Sequence, residues 1–419
     1  MISKSFSIPA PAIVSLSTRR NWFDFDGITG KTPAGLAFAG ANGTYFDSAG
    51  VLQDAVANTP RFDYHPATLA SRGVLIEPAR TNSIRNSTMQ GAAAGTPGTL
   101  PTNWVVSASG LTRTIVGAGV EDGVPYIDVR LAGTTGATAD NMLPESTTAV
   151  AVASGETWTQ SAFVRLVGGS LANISAVIMR TLGYNSTPAV QETQPNQDIT
   201  SLLGGASLRV CRAAKSYTFV NGATVTGVPF LTITHSSGVV VDLTLRIGLW
   251  QFEKGTYATS PIKTTSAAVT RAADLPTGAI GVNAPFYTAF ECELAATAAG
   301  VLASVHGVGA ANAASQIGVG AGPAWAVSTK DAGVEQGPLA PAGTPATGTI
   351  YRIAHAVDTN NLRACVNGGT VVQDTGASVP VPTNIRFGAD GDGANQSAFW
   401  LRRARVLKGS PTNSAMQDF

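Results

Sequence analysis

The sequence predicts an all-β protein: an extended N-terminal arm followed by two β-sandwich domains. Three observations predict it. The run Val239–Leu249 sets Val239, Val241, Leu243, Leu245, Ile247 and Leu249 on one face and Asp242, Thr244 and Arg246 on the other. That is the period of a sheet packed on one side and wet on the other. Many short strand-like runs follow one another with turn signals between them, and no helix-period segment of about 12 residues or more interrupts them. Charged residues are 13% of the chain, hydrophobic ones 44%, and the chain holds 46 glycines. Low charge with many small and β-branched residues suits closely packed sheets whose outer faces carry Thr and Ser.

Residues 1–44 form the arm. Phe6-Ser7-Ile8-Pro9-Ala10-Pro11-Ala12-Ile13-Val14 is extended and stiffened by proline, and Arg19–Gly27 is the densest aromatic spot. An arm that cannot bury its own apolar groups packs on another subunit, on a larger assembly, or back on its own chain. Residues 45–82 read as a β clasp. Asp47-Ser48-Ala49-Gly50 is a turn closed by a glycine, Thr59-Pro60-Arg61-Phe62 is extended, and Val74-Leu75-Ile76 is a short buried strand. Charges concentrate here at Asp54, Arg61, Asp63, Arg72, Glu77 and Arg80. Arg61, Asp63, Glu77 and Arg80 are expected to pair structurally at a joint between the arm and the first sandwich, within or between subunits.

Residues 83–274 form the first sandwich. Thr157–Val167 places Trp158, Ala162, Val164 and Leu166 on one face, Asn173–Met179 is apolar on both, and Asn221-Gly222 signals a hairpin. Residues 275–419 form the second. Pro285–Leu294, Thr349–Val357, a hairpin at Asn367-Gly368, Asn384–Gly388 and Ala398–Leu407 are its strands. Ser410 as cap and Pro411 at the first helical position predict a short helix over Thr412–Phe419.

Composition excludes several functions. The net charge of +1 offers no basic stripe for nucleic acid. Cys211, Cys292 and Cys365 are far apart with no CxxC, so neither a zinc site nor a disulfide framework is expected, as in a chain made in a reducing cytoplasm. The N-terminus lacks a signal-peptide apolar region, and no run of about 18 apolar residues exists for membrane insertion.

Three segments carry a family resemblance. Gly43–Gln53, Asn58–Tyr64 and Gly73–Asn82 resemble a segment of tailed-bacteriophage virion proteins: tail-fibre, head-spike and related fibre proteins. A second block, Gln251-Phe252-Glu253-Lys254-Gly255, Ala258–Thr264 and Val269–Asp274, is similar to the part that closes a carbohydrate-binding-like jelly roll in that family. The C-terminal third is similar in layout to laminin-G and concanavalin-like sandwiches. The resemblance covers about residues 37–419. It implies a virion structural protein, a fibre or spike component of head or tail, assembled in the host bacterial cytoplasm. It further implies copies associated as a homotrimer, docked through the arm on capsid, portal, collar or tail proteins, and sandwiches displayed to a host-surface glycan or receptor. No heptad repeat is present, so β-surfaces and the arm would hold the oligomer.

Some concanavalin-like folds are glycosidases with alternating acids on one strand. Glu291 and Glu293 share a strand face roughly 6.5–7 Å apart, a spacing compatible with acid/base hydrolysis, but the third position is Ala296. A solvated strand face is the expected reading, and no catalytic residue is assigned. A glycan-degrading tailspike and a purely architectural capsid or collar protein remain the alternatives. His65, His235, His306 and His355 are isolated, and Asp390-Gly391-Asp392 is ordinary turn chemistry, so no metal or cofactor is expected. Glycan binding calls for exposed aromatics. Of Trp104, Trp250, Trp325 and Trp400, Trp250 ranks first because it faces away from Leu245, Ile247 and Leu249, and Trp325, in a Gly/Pro/Ala loop, ranks second.

Overall fold

A computed structural model describes residues 21–193 and 195–419, residues 21 and 22 by backbone alone. Phe6–Val14, Arg19, Arg20 and the Trp22 side chain of the expected arm lie outside the described residues. The chain is all-β: its described helices are two 3-10 turns, Thr200–Gly204 and Leu208–Val210, and one short α-helix, Asn413–Gln417. It divides into two compact units, Phe38–Asp274, and Met1–Ala37 with Leu275–Phe419.

The unit Phe38–Asp274 is an antiparallel sandwich. One sheet runs in the order Arg212–Thr218, Thr157–Gly169, Val240–Lys254, Val124–Thr134, Leu111–Glu121. The other runs Val190–Thr193, Ile174–Tyr184, Thr226–His235, Ala139–Leu143, Val105–Ser107. Ile127, Val129, Val164, Leu243, Leu245 and Ile247 of the first sheet meet Met142, Val177, Met179, Leu231 and Ile233 of the second in one buried core. The alternation Val241, Leu243, Leu245, Ile247 is therefore the inner face of a real strand, Val240–Lys254, while Leu249 departs from it. Asn221-Gly222 does turn the chain, with Thr224 N donating to Asn221 O at 3.1 Å, but it closes no hairpin. It joins Arg212–Thr218 in one sheet to Thr226–His235 in the other.

Stretch 45–82 is part of this unit. Thr44–Phe46 pairs with Leu52–Asp54 across a turn in which Gly50, at φ 77°, donates to Asp47 O at 2.9 Å. Phe62–Tyr64 pairs with Ser71–Ile76, and Arg80–Asn82 pairs with Val269–Arg271.

In the other unit, one sheet runs Val372–Asp374, Leu362–Val366, Ile350–Val357, Phe286–Leu294, Phe399–Lys408. The second runs Leu36–Ala37, Thr277–Ala279, Asn384–Phe387, Gly300–His306, Ala313–Gly320, Ala324–Asp331, Val334–Leu339. Phe290 of the first stacks on Phe387 of the second at 6.2 Å. Part of the expected arm belongs to this core. Asn21–Asp26 pairs antiparallel with Phe399–Lys408, and Phe23 and Phe25 are buried against Phe387. That aromatic segment is folded back on its own chain, because a strand edge and an aromatic core were there to receive it.

The C-terminal helix begins later than expected. Thr412, not Ser410, caps it, accepting from Ala415 N at 3.2 Å. Ser410 and Pro411 instead take the Arg363 guanidinium, through Ser410 Oγ at 2.8 Å and Pro411 O at 2.7 Å, while Asn413 Oδ1 takes its other arm at 2.7 Å.

Candidate functional site

The most completely built polar site lies inside the unit Phe38–Asp274. Leu75 N donates to Arg61 O, which ties the Arg61 segment to the Ser71–Ile76 strand. Glu77 follows that strand directly, and Pro78 ends it. The pairing of Arg80–Asn82 with Val269–Arg271 then carries Arg271 and Asp274 to the same place. Arg61 and Arg271 each contact Glu77 Oε2 at 2.9 Å, and both also face Asp274 Oδ2. Ser260 closes the cluster: its N–H and hydroxyl donate to Glu77 at 2.7 and 2.6 Å, and its hydroxyl accepts from Arg61 at 2.9 Å. Glu77 N donates to Asp274 Oδ2 and Asp274 N to Glu77 O, each at 2.9 Å. Arg61 also reaches Thr44 O and Arg271 reaches Pro78 O.

Beside it, Glu253 is fully buried and accepts from Gln251, Thr259 N and the Thr259 hydroxyl at 2.6, 2.8 and 2.7 Å. Arg80 Nε lies 3.9 Å from Glu253, and the Arg80 guanidinium sits over the Tyr257 ring. Asn82 ties the segments together by donating to Trp250 O and Ile262 O and accepting from Phe252 N and Ile84 N.

Arg61, Glu77 and Arg271 are 2%, 4% and 1% exposed, too buried for water to solvate a lone charge. Burial pushes the Glu77 carboxyl up, but Arg271, Arg61 and Ser260 outweigh it and hold it down at about 2. Burial pushes the Asp274 carboxyl up, against the pull of Arg61 and Arg271, so the two arginines are balanced chiefly by Glu77 with Asp274 beside it, and it is this mutual pairing that makes a buried ionic cluster tolerable. The recess beside Arg61 and Asp274, walled by Gly40, Gly43 and Ala55, has a volume of about 10 Å³, room for at most one water. Each carboxylate here is taken up by arginines or hydrogen-bond donors, and the adjoining recess is too small for a substrate. What the arrangement does is lock chain segments together.

The structure thus brings Arg61 and Glu77 together, leaves Arg80 at the margin, and places Asp63 elsewhere, where it accepts from Phe46 N at 2.7 Å. Every member of the cluster belongs to the unit Phe38–Asp274, so the pairing is internal to that unit.

The two tryptophans chosen for glycan stacking are corrected by the structure. Trp250 is 0% exposed and Trp325 is 2% exposed, so neither ring offers a face to a sugar. Trp250 fails because the strand alternation breaks just before it. Ser161 pairs with Gln251 and Phe163 with Gly248, so Leu249 and Trp250 both stand opposite Ala162. Leu249 takes φ 39° and turns toward Leu52, Val124, Phe163 and Leu208. Trp250 is thereby rotated into the core, edge-on to Trp104 at 5.6 Å. Trp325 lies on a strand rather than in a loop and packs edge-on to Tyr351 at 4.8 Å.

No known protein family matches this chain, and no curated protein does. Solved structures give distant likenesses. The chain is similar to the tandem CBM22-1–CBM22-2 domain of Xyn10C from Paenibacillus barcinonensis, at 10% identity and TM-score 0.22, covering 78% of this chain and 97% of that one. It is similar to domains LG4-5 of the mouse laminin alpha1 chain, at 12% identity and TM-score 0.22, covering 66% and 88%. It is also similar to the tail fibre protein gp63.1 of a phage of E. coli, at 9% identity and TM-score 0.22, covering 81% of this chain and 41% of that one. At these values none of them speaks to what this chain binds.

In the second unit, the acids on Phe286–Leu294 are not a free pair. Glu291 is held between Arg402 Nε at 2.9 Å and Arg352 Nε at 3.2 Å, from the two flanking strands. Asp390 spends its carboxylate on its own loop, accepting from Asp392 N, Ala394 N and the Asn395 amide. His355 is fully buried, hydrogen-bonded to Ser315 Oγ at 2.9 Å, and burial pushes it down to about 3. His235 meets Asp140 Oδ2 at 2.8 Å in the interior. Among the described residues no group of three or more His, Cys, Asp or Glu is placed to hold a metal, and no helix is long and apolar enough to cross a membrane.

Sequence reasoning did not assign Ser260, Arg271, Asp274, Gln251 or Glu253 to the cluster. The available signal was that these residues recur inside the second resembling block. Polar and charged residues set so closely in a chain of 13% charge point to partners elsewhere in the chain. A second feature it missed is an open depression of about 390 Å³ floored by Val106, Ala108 and Leu111, with Thr96, Thr112 and Arg113 at its rim.

Proposed function

We propose that this chain is a non-enzymatic bacteriophage virion protein, a fibre or spike component whose sandwiches are displayed for attachment to a host-surface glycan or receptor. The observation that supports it is the convergence of the resembling segments. Gly43–Gln53, Asn58–Tyr64, Gly73–Asn82 and Gln251–Asp274 meet in one buried cluster that fastens both ends of the sandwich unit. The residues by which the chain resembles virion proteins thus have a common physical task, holding a displayed domain shut. The engagement of Glu291 by two arginines supports the absence of hydrolysis, since an acid so paired is a poor proton donor.

With Trp250 and Trp325 buried, glycan contact is assigned to the depression rimmed by Thr96, Thr112 and Arg113. An apolar floor under a few polar groups is the usual form of a small-ligand site. Each contact would be weak, and many copies on one particle would gain through effective concentration.

Labelling purified virions with an antibody to this chain, imaged by cryo-electron microscopy, tests the location. A particle lacking the chain overturns the proposal. Glycan-array binding by the full chain, abolished by Thr112→Trp, tests the depression. Release of reducing sugar from host polysaccharide that disappears in Glu291→Gln or Glu293→Gln would establish the enzyme instead.

A further inference from the structure

We propose that the free edge of the strand Leu111–Glu121 docks a second copy of this chain, by antiparallel pairing about a twofold axis through Ala118. The strand ends its sheet and is 11 residues long. Its first half is covered, since Ile115 and Gly95 exchange two backbone hydrogen bonds of 2.9 Å. From Val116 to Val120 no such cover exists among the described residues.

Other sheet ends are protected in the usual ways. Arg212–Thr218 carries Arg212 and Lys215, and Val334–Leu339 carries Pro338. Val190–Thr193, Val105–Ser107 and Val372–Asp374 are only 4, 3 and 3 residues long. By contrast, residues 117–120 contain no charge, no proline and no bulge, the strand's register shift against Val124–Thr134 falling at Val116, and Val116 and Val120 are 52% and 66% exposed. An uncovered edge segment without charge or proline is a template for another strand.

The occupant follows from the sequence of that edge. Val116-Gly117-Ala118-Gly119-Val120 reads the same in both directions. Antiparallel pairing centred on Ala118 sets each Val116 opposite Val120 of the second copy, each Gly117 opposite Gly119, and Ala118 opposite itself. Such a patch is self-complementary, as a twofold contact requires. Ala118 and Val120 share one face, opposite Ile127 and Pro125 of the neighbouring strand, and Val116 sits at the bulge beside them, so the two valine pairs close the two ends of the contact. The contact is twofold, in contrast to the threefold association that the sequence resemblance implies, and it stands whether or not the chain is a virion protein.

The test is the oligomeric state of the full chain by analytical ultracentrifugation over a range of concentrations. Wild type is expected to dimerise. Ala118→Lys should be monomeric with unchanged circular dichroism and melting, and Val334→Lys, on a different exposed edge, should dimerise like wild type. Ala118→Cys should form a disulfide-linked dimer on mild oxidation, because directly opposed Cα atoms lie about 4.5–5.5 Å apart. The native cysteines are buried and give little background. A wild type that is monomeric throughout, an oligomer untouched by Ala118→Lys, or an Ala118→Cys variant that fails to cross-link while associated overturns the proposal.

Discussion

Arg61 and Asp274 stand 213 positions apart in the chain, yet their side chains form a direct ion pair in the interior of one unit. With Arg271 and Glu77 they close a four-membered cluster that holds Thr44, Pro78 and Ser260 as well. A buried cluster in which opposite charges compensate one another is tolerated inside a protein, whereas one deprived of a member is not.

Removing one member is therefore expected to be costly. Glu77→Gln leaves two buried guanidinium groups sharing Asp274 and should destabilise the unit Phe38–Asp274 by about 3–5 kcal/mol. Arg80→Ala, whose side chain is 20% exposed and 3.9 Å from Glu253, should cost no more than about 1 kcal/mol. Urea unfolding of the full chain, followed by limited proteolysis of that unit, checks both. Equal losses would mean that the cluster has no special weight.

Trp250 should behave as a core residue. Its indole N–H has no acceptor, so Trp250→Phe gives up no hydrogen bond and should cost under about 1.5 kcal/mol, against about 3–5 kcal/mol for Trp250→Ala. Glycan-array signal should survive both Trp250→Phe and Trp325→Phe. Loss of binding in a stably folded Phe variant would restore the stacking role.

Acid should act on the two units through different groups. Glu77, held at about 2, is ionised in the fold while the unfolded chain takes up a proton near pH 4.5. Its contribution is complete above pH 4.5 and is lost as pH falls toward 2, a total of about 3 kcal/mol. His355, held at about 3 by burial, stays neutral in the fold while the unfolded chain protonates near pH 6.5. The second unit should therefore lose about 1.4 kcal/mol per pH unit between pH 6.5 and 3. Melting temperature against pH checks this: His355→Asn should flatten the upper window and Glu77→Gln the lower.

Arg363 should act as the latch of the C-terminus. A helix of five residues does not persist alone, and Arg363 binds Ser410, Pro411 and Asn413 around its start. Arg363→Ala should release residues 410–419 to carboxypeptidase at least tenfold faster, while Arg403→Ala, at an exposed ion pair with Asp26, should not.

The sequence by itself determined the fold class and the faces of the longest strands. Alternation is a local property: Val241, Leu243, Leu245 and Ile247 are buried because every second residue of an extended chain points the same way. The Asp47–Gly50 turn was legible for the same reason, since its glycine supplies the positive φ that the closure requires. Tertiary structure alone decided the rest. Leu249 gave up regular backbone geometry to pack on Leu52 and Phe163, and that shift carried Trp250 from the outer face to the core. Asn221-Gly222 made its turn, but which sheet the next strand joined depended on where its apolar face found cover. The charges of stretch 45–82 announced that they needed partners. Only the long-range pairing of Arg80–Asn82 with Val269–Arg271 named Arg271 and Asp274, because a buried charge is satisfied by whatever the fold brings within hydrogen-bond reach, at any distance along the chain.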